Sequence, residues 1–287
     1  MKAPNFFYVK PASLAEAIEI LARHDGAAVP IAGGQSLLAG LSMRLSSPEM
    51  LVDLTGLDEL RGIKVEEDHV RIGALTRHVD LLRSEDVKVQ LPLISKAIHF
   101  VAHVAVRNRG TIGGSVAYAD PSAELPACIV TLKAIVIIAG PGGVREIPAE
   151  EFFQGLFETD LKTGEIIIGF KIPPIWVGQR WAFLELSRRR GDFAMAGLAA
   201  LIHTDGATIT AARFTYFGCT EYPKLAKKVG TALEGKTLPL GDLGWIADAV
   251  ARDVEPSPSA DMRADTKLKL ATVVTERVLA ELSSQES

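Results

Sequence analysis

The chain has 287 residues, of which 48% are hydrophobic and 23% charged, and its formal net charge is −4. This composition predicts a packed globular protein rather than a disordered chain. The slight acidity argues against a nucleic-acid-binding or membrane-surface protein, which would carry a basic excess. The N-terminus lacks an apolar signal segment, and no apolar run is long enough to span a membrane. We therefore expect a cytoplasmic protein without an integral membrane segment.

The cysteines and histidines give no sign of a metal site. Only two cysteines are present, Cys128 and Cys219, and they lie far apart and outside any Cys-x-x-Cys pattern. Two isolated thiols cannot build a disulfide framework or an iron–sulfur cluster. His99 and His103 are four residues apart on a predicted helix, but a zinc site would need at least one further ligand. No metal ligand is predicted.

The first 55 residues predict a small α/β unit. Apolar runs at residues 6–9, 27–31 and 50–54 have the length and composition of strands. Between them the spacing predicts helices at Leu14–Arg23 and residues 37–45. Ser13 is a good N-cap for the first helix, with Glu16 three residues later as its partner. Alternation of strands and helices in this order is typical of an α/β fold.

The pattern then changes to hairpins, helices and longer strands. A hairpin is predicted at residues 62–72, a helix capped by Thr76, and a longer helix from Pro92 to about Ala105. A helix at 124–132 and strands at 134–139, 144–147 and 165–171 follow, and Pro173-Pro174 marks a linker. Beyond it we predict strands at 181–187, 194–203 and 208–218 and helices at 224–233, 243–251 and 262–282.

Two glycine-rich turns are the main functional signal. Gly33-Gly34 follows the second predicted strand directly, and Gly113-Gly114 occurs about 80 residues later. Paired glycines permit φ > 0 and close approach of a ligand, and exposed N–H groups at such turns attract phosphate. Each turn alone is equally well explained as an ordinary tight turn. Together they predict two turns that clamp one diphosphate, although neither the G-x-G-x-x-G fingerprint nor a nucleoside-triphosphate loop is present.

Five motifs occur in an order that identifies a family. They are Ala32-Gly33-Gly34-Gln35-Ser36-Leu37-Leu38, Leu51-Val52-Asp53-Leu54, Ile72-Gly73-Ala74-Leu75-Thr76, Val106-Arg107-Asn108-Arg109-Gly110-Thr111-Ile112-Gly113-Gly114 and Arg188-Arg189-Arg190-Gly191-Asp192-Phe193-Ala194. In this order they resemble the FAD-binding medium subunit of the molybdenum hydroxylases, a family that includes aerobic carbon monoxide dehydrogenase and xanthine dehydrogenase. The resemblance covers nearly the whole chain.

The resemblance implies an α+β fold in two parts. An FAD-binding domain would occupy residues 1–176, as two α/β subdomains at about 1–55 and 56–176. A C-terminal flavoprotein domain at residues 177–287, with an antiparallel sheet plus helices, would follow. The linker predicted at Pro173-Pro174 agrees with this division.

The resemblance also implies which residues hold FAD. The first turn would contribute Ile31, Ala32, Gly33, Gly34, Gln35, Ser36, Leu37 and Leu38. The second would contribute Gly110, Thr111, Gly113, Gly114 and Ser115, with Ala102 and Val106 lining the pocket just before it. Glu124 would meet the hydroxyls of the cofactor, Ile166 and Ile167 would lie at the adenine, and Phe193 would lie near the isoalloxazine ring. Each of these also has an ordinary explanation, as a core residue or, for Glu124, as an acid at a helix N-terminus.

Three positions depart from the pattern of the family in ways that bear on the site. Ser115 stands where asparagine is frequent, and its hydroxyl can still donate to phosphate. Glu185 stands where the carbon monoxide enzyme has a lysine near the cofactor, so that contact is in doubt. Phe193 stands where that enzyme has a tyrosine, so any hydrogen bond from the hydroxyl is lost.

The function implied by the resemblance is electron transfer within a heterotrimer. A large subunit would hold the molybdenum cofactor and a small one two [2Fe–2S] clusters, and this chain would pass electrons through FAD to an external acceptor. The assembly would be a dimer of heterotrimers. No acid, base or nucleophile is predicted in this chain, because the chemistry belongs to the flavin. Two alternatives remain: a stand-alone FAD-dependent oxidoreductase of the same fold, and a scaffold that has lost FAD.

Overall fold

The computed structural model of the chain describes residues 2–256, 258 and 262–285, and its fold is of the predicted α+β class. The N-terminal elements are β1 (Phe7–Val9), α1 (Leu14–Arg23), β2 (Ala28–Ile31), α2 (Leu37–Ser42) and β3 (Met50–Asp53). The strands form a parallel sheet in the order β1-β3-β2, which confirms the predicted α/β unit. Helix α1 begins as predicted, because the Ser13 hydroxyl accepts the N–H of Glu16 at 3.2 Å while the Glu16 carboxylate accepts the N–H of Ala12 at 2.7 Å.

The next part of the chain surrounds a five-stranded antiparallel sheet with short helices. Its elements are β4 (Ile63–Val65), β5 (Val70–Gly73), α3 (His78–Arg83), α4 (Glu85–Gln90), α5 (Pro92–Ala97), α6 (Val104–Arg107), α7 (Ile112–Tyr118), α8 (Glu124–Thr131), β6 (Ile135–Gly140), β7 (Gly143–Pro148), α9 (Ala149–Phe152), β8 (Phe153–Gly155), β9 (Glu158–Thr159) and β10 (Ile166–Ile172). The strand order is β4-β5-β10-β6-β7, so β10 joins two hairpins that precede it in the sequence. Most side chains of β10 are buried, as expected for a central strand.

The C-terminal part is a four-stranded antiparallel sheet with three helices. Its elements are β11 (Gln179–Leu186), β12 (Ala196–Asp205), β13 (Thr208–Phe217), β14 (Lys224–Leu225), α10 (Lys227–Leu233), α11 (Ile246–Asp253) and α12 (Ala264–Ser284). The strand order follows the sequence, β11-β12-β13-β14. None of the helices within the described ranges is both long and apolar enough to cross a membrane.

Strand β12 is buried on both faces and separates two hydrophobic cores. Leu198, Ala200 and Ile202 belong to the core shared with α10, α11 and α12. Ala199 and Leu201 point the other way, into the core built on α5, α8 and β10. Because successive side chains of a strand alternate between the two faces of its sheet, β12 contributes to both hydrophobic cores.

The predicted helix from Pro92 to about Ala105 is wrong in its second half. Helix α5 ends at Ala97, Ala102 has φ +39°, and the chain turns helical again only at α6. The apolar residues continue past the break because Ile98 and Val101 still enter the core, so their spacing imitates a longer helix. Arg107 stabilises the break, since its guanidinium donates to the carbonyls of Val101 and Ala102 at 2.7 and 2.8 Å.

Two smaller predictions also differ from the structure. Thr76 does not cap α3, which begins at His78; its hydroxyl donates instead to the carbonyl of Gly62 at 3.0 Å. The predicted helix at 224–233 begins at Lys227, because Lys224 and Leu225 first pair with β13 as a short strand. In both cases a tertiary contact takes precedence over the local helical pattern.

We predict that Gly197→Ala destabilises the protein by about 1–3 kcal/mol. Gly197 lies opposite Phe217 in the β12–β13 pair, and an added Cβ would collide with the Phe217 ring, which is fully buried and stacked on Phe183 at 5.5 Å between centroids. Urea denaturation measures the change. Gly142→Ala is the control, because nothing lies within 4 Å of an added Cβ there. Equal stability of the two variants would contradict the prediction.

Candidate functional site

A cavity of about 620 Å³ lies between the parallel sheet, helices α7 and α8, and strand β10, a size typical of ligand pockets. All the predicted site residues except Leu38 line it: Ile31, Ala32, Gly33, Gly34, Gln35, Ser36, Leu37, Ala102, Val106, Gly110, Thr111, Gly113, Gly114, Ser115, Glu124, Ile166, Ile167 and Phe193. The side chain of Leu38 packs beneath the turn, with its Cδ1 3.0 Å from the position of an added Cβ at Gly34. The fold thus brings together residues that are up to 162 positions apart.

The first glycine turn offers free backbone donors. It starts where β2 ends at Ile31, and Gly34 has φ +70°, a conformation that favours glycine. The N–H groups of residues 33–37 donate to no acceptor within the described part of the chain. Several adjacent unpaired N–H groups form a concavity that suits an anion, as the sequence predicts for this turn.

The second glycine pair differs from the prediction, because its N–H groups are already bonded. Thr111 caps α7, so Gly113 and Gly114 lie in the first helical turn rather than in an open loop. The N–H of Ile112 donates to Thr76 and that of Gly113 to Ala74, at 3.1 and 2.8 Å. The N–H of Gly114 donates to the Thr111 hydroxyl at 3.1 Å. These glycines therefore contribute the absence of a side chain rather than free N–H groups.

The two turns touch each other through their backbones. A Cβ at Gly33 would collide with the carbonyl of Arg109 and lie 2.8 Å from Cα of Gly110. A Cβ at Gly113 would lie 2.6 Å from that of Ala74. Glycine is therefore needed at residues 33 and 113 for packing, in addition to any role toward a ligand.

Carboxyl groups gather at the end of the cavity that is formed by the N-terminus of α8. Burial, together with the nearby charges of Glu185 and Asp120, raises the pKa of Glu124 to about 8. Burial also raises the pKa of Glu185 to about 7, and its Oε2 is buried without a hydrogen-bond partner. Asp120 accepts the N–H of Ser122 at 2.8 Å, but its pKa is still raised by burial. A protonated Glu124 can donate a hydrogen bond to a ligand as well as accept one.

An ion-pair cluster closes the side of the cavity near β10. Glu165, which lines the cavity, accepts two hydrogen bonds from the Arg145 guanidinium, both at 2.7 Å. Asp160 lies 2.7 Å from the same guanidinium. These contacts lower the pKa of Glu165, the hydrogen bond from Arg145 being the largest cause. The cluster fixes the loop before β10, and with it Ile166 and Ile167, which are 3% and 5% exposed.

Phe193 lies at the mouth of the cavity and is 75% exposed. The turn that carries it packs on the break between α5 and α6, because a Cβ at Gly191 would lie 2.9 Å from Cε1 of His103 and 3.1 Å from the carbonyl of Ala102. An exposed aromatic ring at a cavity mouth offers a flat apolar face to a planar ligand. Phe193, at the start of the C-terminal part, therefore faces the same cavity as the turns of the N-terminal part.

Several lining residues are absent from the sequence-based prediction. They are polar side chains, His78, Asp120, Glu165 and Asp192, and apolar ones such as Leu161. His78 follows the Ile72–Thr76 motif by two residues, a signal that could have singled it out. The others carry no pattern, because they come from separate turns that only the tertiary fold brings together.

Comparison with known proteins gives the same assignment for the whole chain. Residues 4–175 match the model of the FAD binding domain in molybdopterin dehydrogenase, and residues 181–282 match that of the CO dehydrogenase flavoprotein C-terminal domain. The chain is 36% identical to the 6-hydroxypseudooxynicotine dehydrogenase complex subunit alpha of Paenarthrobacter nicotinovorans, over 98% of this chain and 95% of that protein.

Two solved structures share the fold closely. One is a chain of carbon monoxide dehydrogenase from Hydrogenophaga pseudoflava, with 35% identity, a TM-score of 0.94 and 98% of each chain covered. The other is a chain of quinoline 2-oxidoreductase from Pseudomonas putida 86, with 38% identity, a TM-score of 0.91 and coverage of 99% of this chain and 98% of that one.

The sequence and the fold define an FAD-binding oxidoreductase subunit. More specifically, the chain belongs to the family of FAD-binding medium subunits of the molybdenum hydroxylases, as its motifs predicted. Of the related enzymes, the carbon monoxide dehydrogenase from Hydrogenophaga pseudoflava has a molybdenum cofactor, whose Mo-pyranopterin moiety is missing from the solved structure. The residues of the cavity fit FAD, since free N–H groups, a backbone cradle without Cβ atoms and a protonated carboxyl suit its diphosphate and hydroxyls.

We predict that Glu124→Gln stabilises the flavin-free protein at high pH. The pKa of Glu124 is about 8 when folded and has its usual value of 4.5 when unfolded, so the folded state binds more protons between these values. The free energy of unfolding of the wild type therefore falls as pH rises from about 5 to 9. The variant has no titrating carboxyl at residue 124, so its free energy of unfolding does not fall for this reason. It should unfold several degrees above the wild type at pH 8.5, and the difference should shrink toward pH 5.

Thermal unfolding followed by circular dichroism at several pH values measures this difference. Glu59→Gln is the control, since Glu59 is exposed and outside the cavity. A difference between Glu124→Gln and the wild type that stays constant from pH 5 to 8.5 would refute a perturbed Glu124.

Proposed function

We propose that the chain binds FAD in this cavity and transfers electrons from the [2Fe–2S] clusters of a partner subunit to an external acceptor. The observation that carries the proposal is the convergence of the free N–H groups of residues 33–37 with the predicted residues of the second turn in one cavity. Bound FAD supplies the redox chemistry, because a flavin exchanges electrons singly or in pairs. The protein supplies binding, orientation and electrostatics.

The chemistry of the lining residues suggests which part of the cofactor each of them would contact. The first turn would hold the diphosphate with its N–H groups, assisted by the hydroxyls of Ser36 and Ser115, which line the cavity. Glu124 would meet hydroxyls of the cofactor. Ile166 and Ile167 would cover the adenine, and Phe193 would cover the isoalloxazine ring at the mouth.

We further propose that the chain works in the cytoplasm as part of a dimer of heterotrimers. Its partners would be a small [2Fe–2S] subunit and a large subunit with the molybdenum cofactor. Related proteins named as medium chains of dehydrogenases support this proposal. Both cysteines of this chain are free and buried, so neither is placed to ligate a cluster, and reduced thiols suit the cytoplasm.

Within the chain, we propose an FAD-binding domain at residues 1–176 with subdomains at about 1–55 and 56–176, and a C-terminal domain at 177–287. The separate parallel and antiparallel sheets support the subdivision. The core shared by α8 and β12 indicates that the two domains pack tightly rather than move freely.

The direct test is the flavin content of the purified chain. We expect the wild type to take up one FAD with the absorbance of a bound flavin, and Gly33→Ala to lose FAD affinity by 100-fold or more, on the order of 3 kcal/mol. The reason is that the new Cβ would push the first turn away from Arg109. Gly40→Ala is the matched control, because Gly40 lies in α2 with open space around an added Cβ. Equilibrium titration with FAD gives both affinities.

Other outcomes identify the alternatives. A colourless wild type that takes up no FAD would contradict the proposal and support a scaffold. Unchanged FAD affinity of Gly33→Ala would contradict the role of the first turn. Co-purification with metal analysis tests the partners, and turnover of an organic substrate by the isolated chain would favour a stand-alone oxidoreductase.

A further inference from the structure

The His78 side chain lies at the junction of the two glycine turns. It is the first residue of α3, is 5% exposed, and lines the cavity. The Cβ that Gly110 lacks would lie 3.0 Å from both Nδ1 and Cε1 of the imidazole. Gly110 in turn lies against Gly33. The ring is therefore in contact with the backbone that joins both turns.

The backbone around His78 fixes the ring in this position. Its N–H donates to the carbonyl of Gly110 at 2.9 Å. The N–H groups of Ile112 and Gly113 donate to Thr76 and Ala74, so three hydrogen bonds join residues 74–78 to residues 110–113. A ring held in this way loses little further conformational freedom when it binds a ligand.

Neither ring nitrogen of His78 has a hydrogen-bond partner within the described part of the chain. Buried polar groups normally have one, because leaving them unpaired costs free energy. The pKa of His78 is lowered to about 4, mainly by burial; the backbone of Thr111, which lies close to the ring, acts in the opposite direction, and the charge of Arg107 adds to the lowering. At neutral pH the ring is therefore uncharged and carries one N–H.

The second turn offers fewer free N–H groups than the first. The N–H groups of residues 112–114 are bonded within the protein, and that of Ser115 donates to the carbonyl of Thr111 at 3.0 Å. Arg107 does not line the cavity, and one nitrogen of its guanidinium donates to the carbonyls of Val101 and Ala102. On the side of the second turn a phosphate would meet the Ser115 hydroxyl and the N–H of Thr111, which donates to no acceptor within the described residues, and a side-chain N–H would add a further donor there.

We propose that His78 is a phosphate-positioning residue that donates a ring N–H to the diphosphate held between the two glycine turns. This inference rests on the proposed function. It assigns to α3 a further donor on the side of the second turn, and it gives the buried imidazole a partner. A diphosphate between the turns would then meet donors on both of its sides, the N–H groups of the first turn on one and the His78 ring on the other.

Ligands with and without phosphate test the proposal. We expect His78→Leu to weaken FAD and ADP binding by about 10- to 100-fold, the effect of losing a hydrogen bond to a charged group. Adenosine and riboflavin, which lack the diphosphate, should bind equally well to both proteins. His78→Gln keeps an N–H donor and should recover part of the affinity. Leu82→Ala is the matched control on the same helix, since Leu82 packs in the core outside the cavity.

A spectroscopic measurement gives an independent reading. In the wild type, the ¹⁵N signals of the His78 ring should shift on addition of ADP and stay unchanged with adenosine. Circular dichroism confirms that each variant is folded.

The outcomes separate this inference from the proposed function. A wild type that binds neither FAD nor ADP contradicts both. A wild type that binds FAD, together with an unchanged affinity of His78→Leu, overturns only the role of His78. Equal losses for ADP, adenosine and riboflavin would also overturn it, because they indicate a structural effect on the whole cavity.

Discussion

The contact between Gly33 and the Arg109–Gly110 backbone is the constraint on which the cavity depends. It joins the end of a parallel strand to the segment that leads into α7, two parts of the chain with separate sheets and separate cores. No side chain fits between them, so only glycine allows the two turns to form one wall. Three hydrogen bonds between residues 110–113 and residues 74–78 hold the far side of that wall. The position of the first turn thus depends on packing that extends well beyond it.

The cavity that results is chemically asymmetric. Free N–H groups and hydroxyls gather at the glycine turns, whereas carboxyl groups gather at the start of α8. If both Glu124 and Asp120 were ionised, the cavity would repel the diphosphate that the turns suit. Burial prevents this by raising the pKa of each carboxyl, so that Glu124 is mainly protonated near neutral pH. Desolvation therefore disfavours the negatively charged forms of these carboxyl groups, and this makes the cavity compatible with a bound anion.

The sequence predicted most of the fold because most elements depend on local signals. The bounds of α1 follow from a serine cap and helical periodicity, and β2 ends where two glycines begin. The break after Ala97 could not be predicted, because the buried residues beyond it keep the spacing of a helix. What stabilises the break is Arg107, ten residues after Ala97, which donates to the carbonyls of Val101 and Ala102. Likewise, the bonded N–H groups of the second turn depend on residues 74–76, whose proximity only the tertiary structure reveals. For His78 the only signal in the sequence is its position two residues after the Ile72–Thr76 motif, and its contact with Gly110 appears only in the tertiary structure.

The C-terminal sheet completes the site through α8. At the C-terminal end of this helix the Thr131 hydroxyl bonds the Thr215 hydroxyl at 2.8 Å, and Arg213 donates to the carbonyls of Val130 and Thr131. These contacts anchor the helix whose first residue is Glu124. The sheet also carries Glu185 on β11, whose charge raises the pKa of Glu124. The same sheet therefore anchors the C-terminal end of α8 and affects the protonation of its first residue. A lysine at residue 185 would favour an ionised Glu124, whereas the glutamate present there favours a protonated one. The residue at position 185 therefore influences whether Glu124 offers the cavity a hydrogen-bond acceptor or a donor.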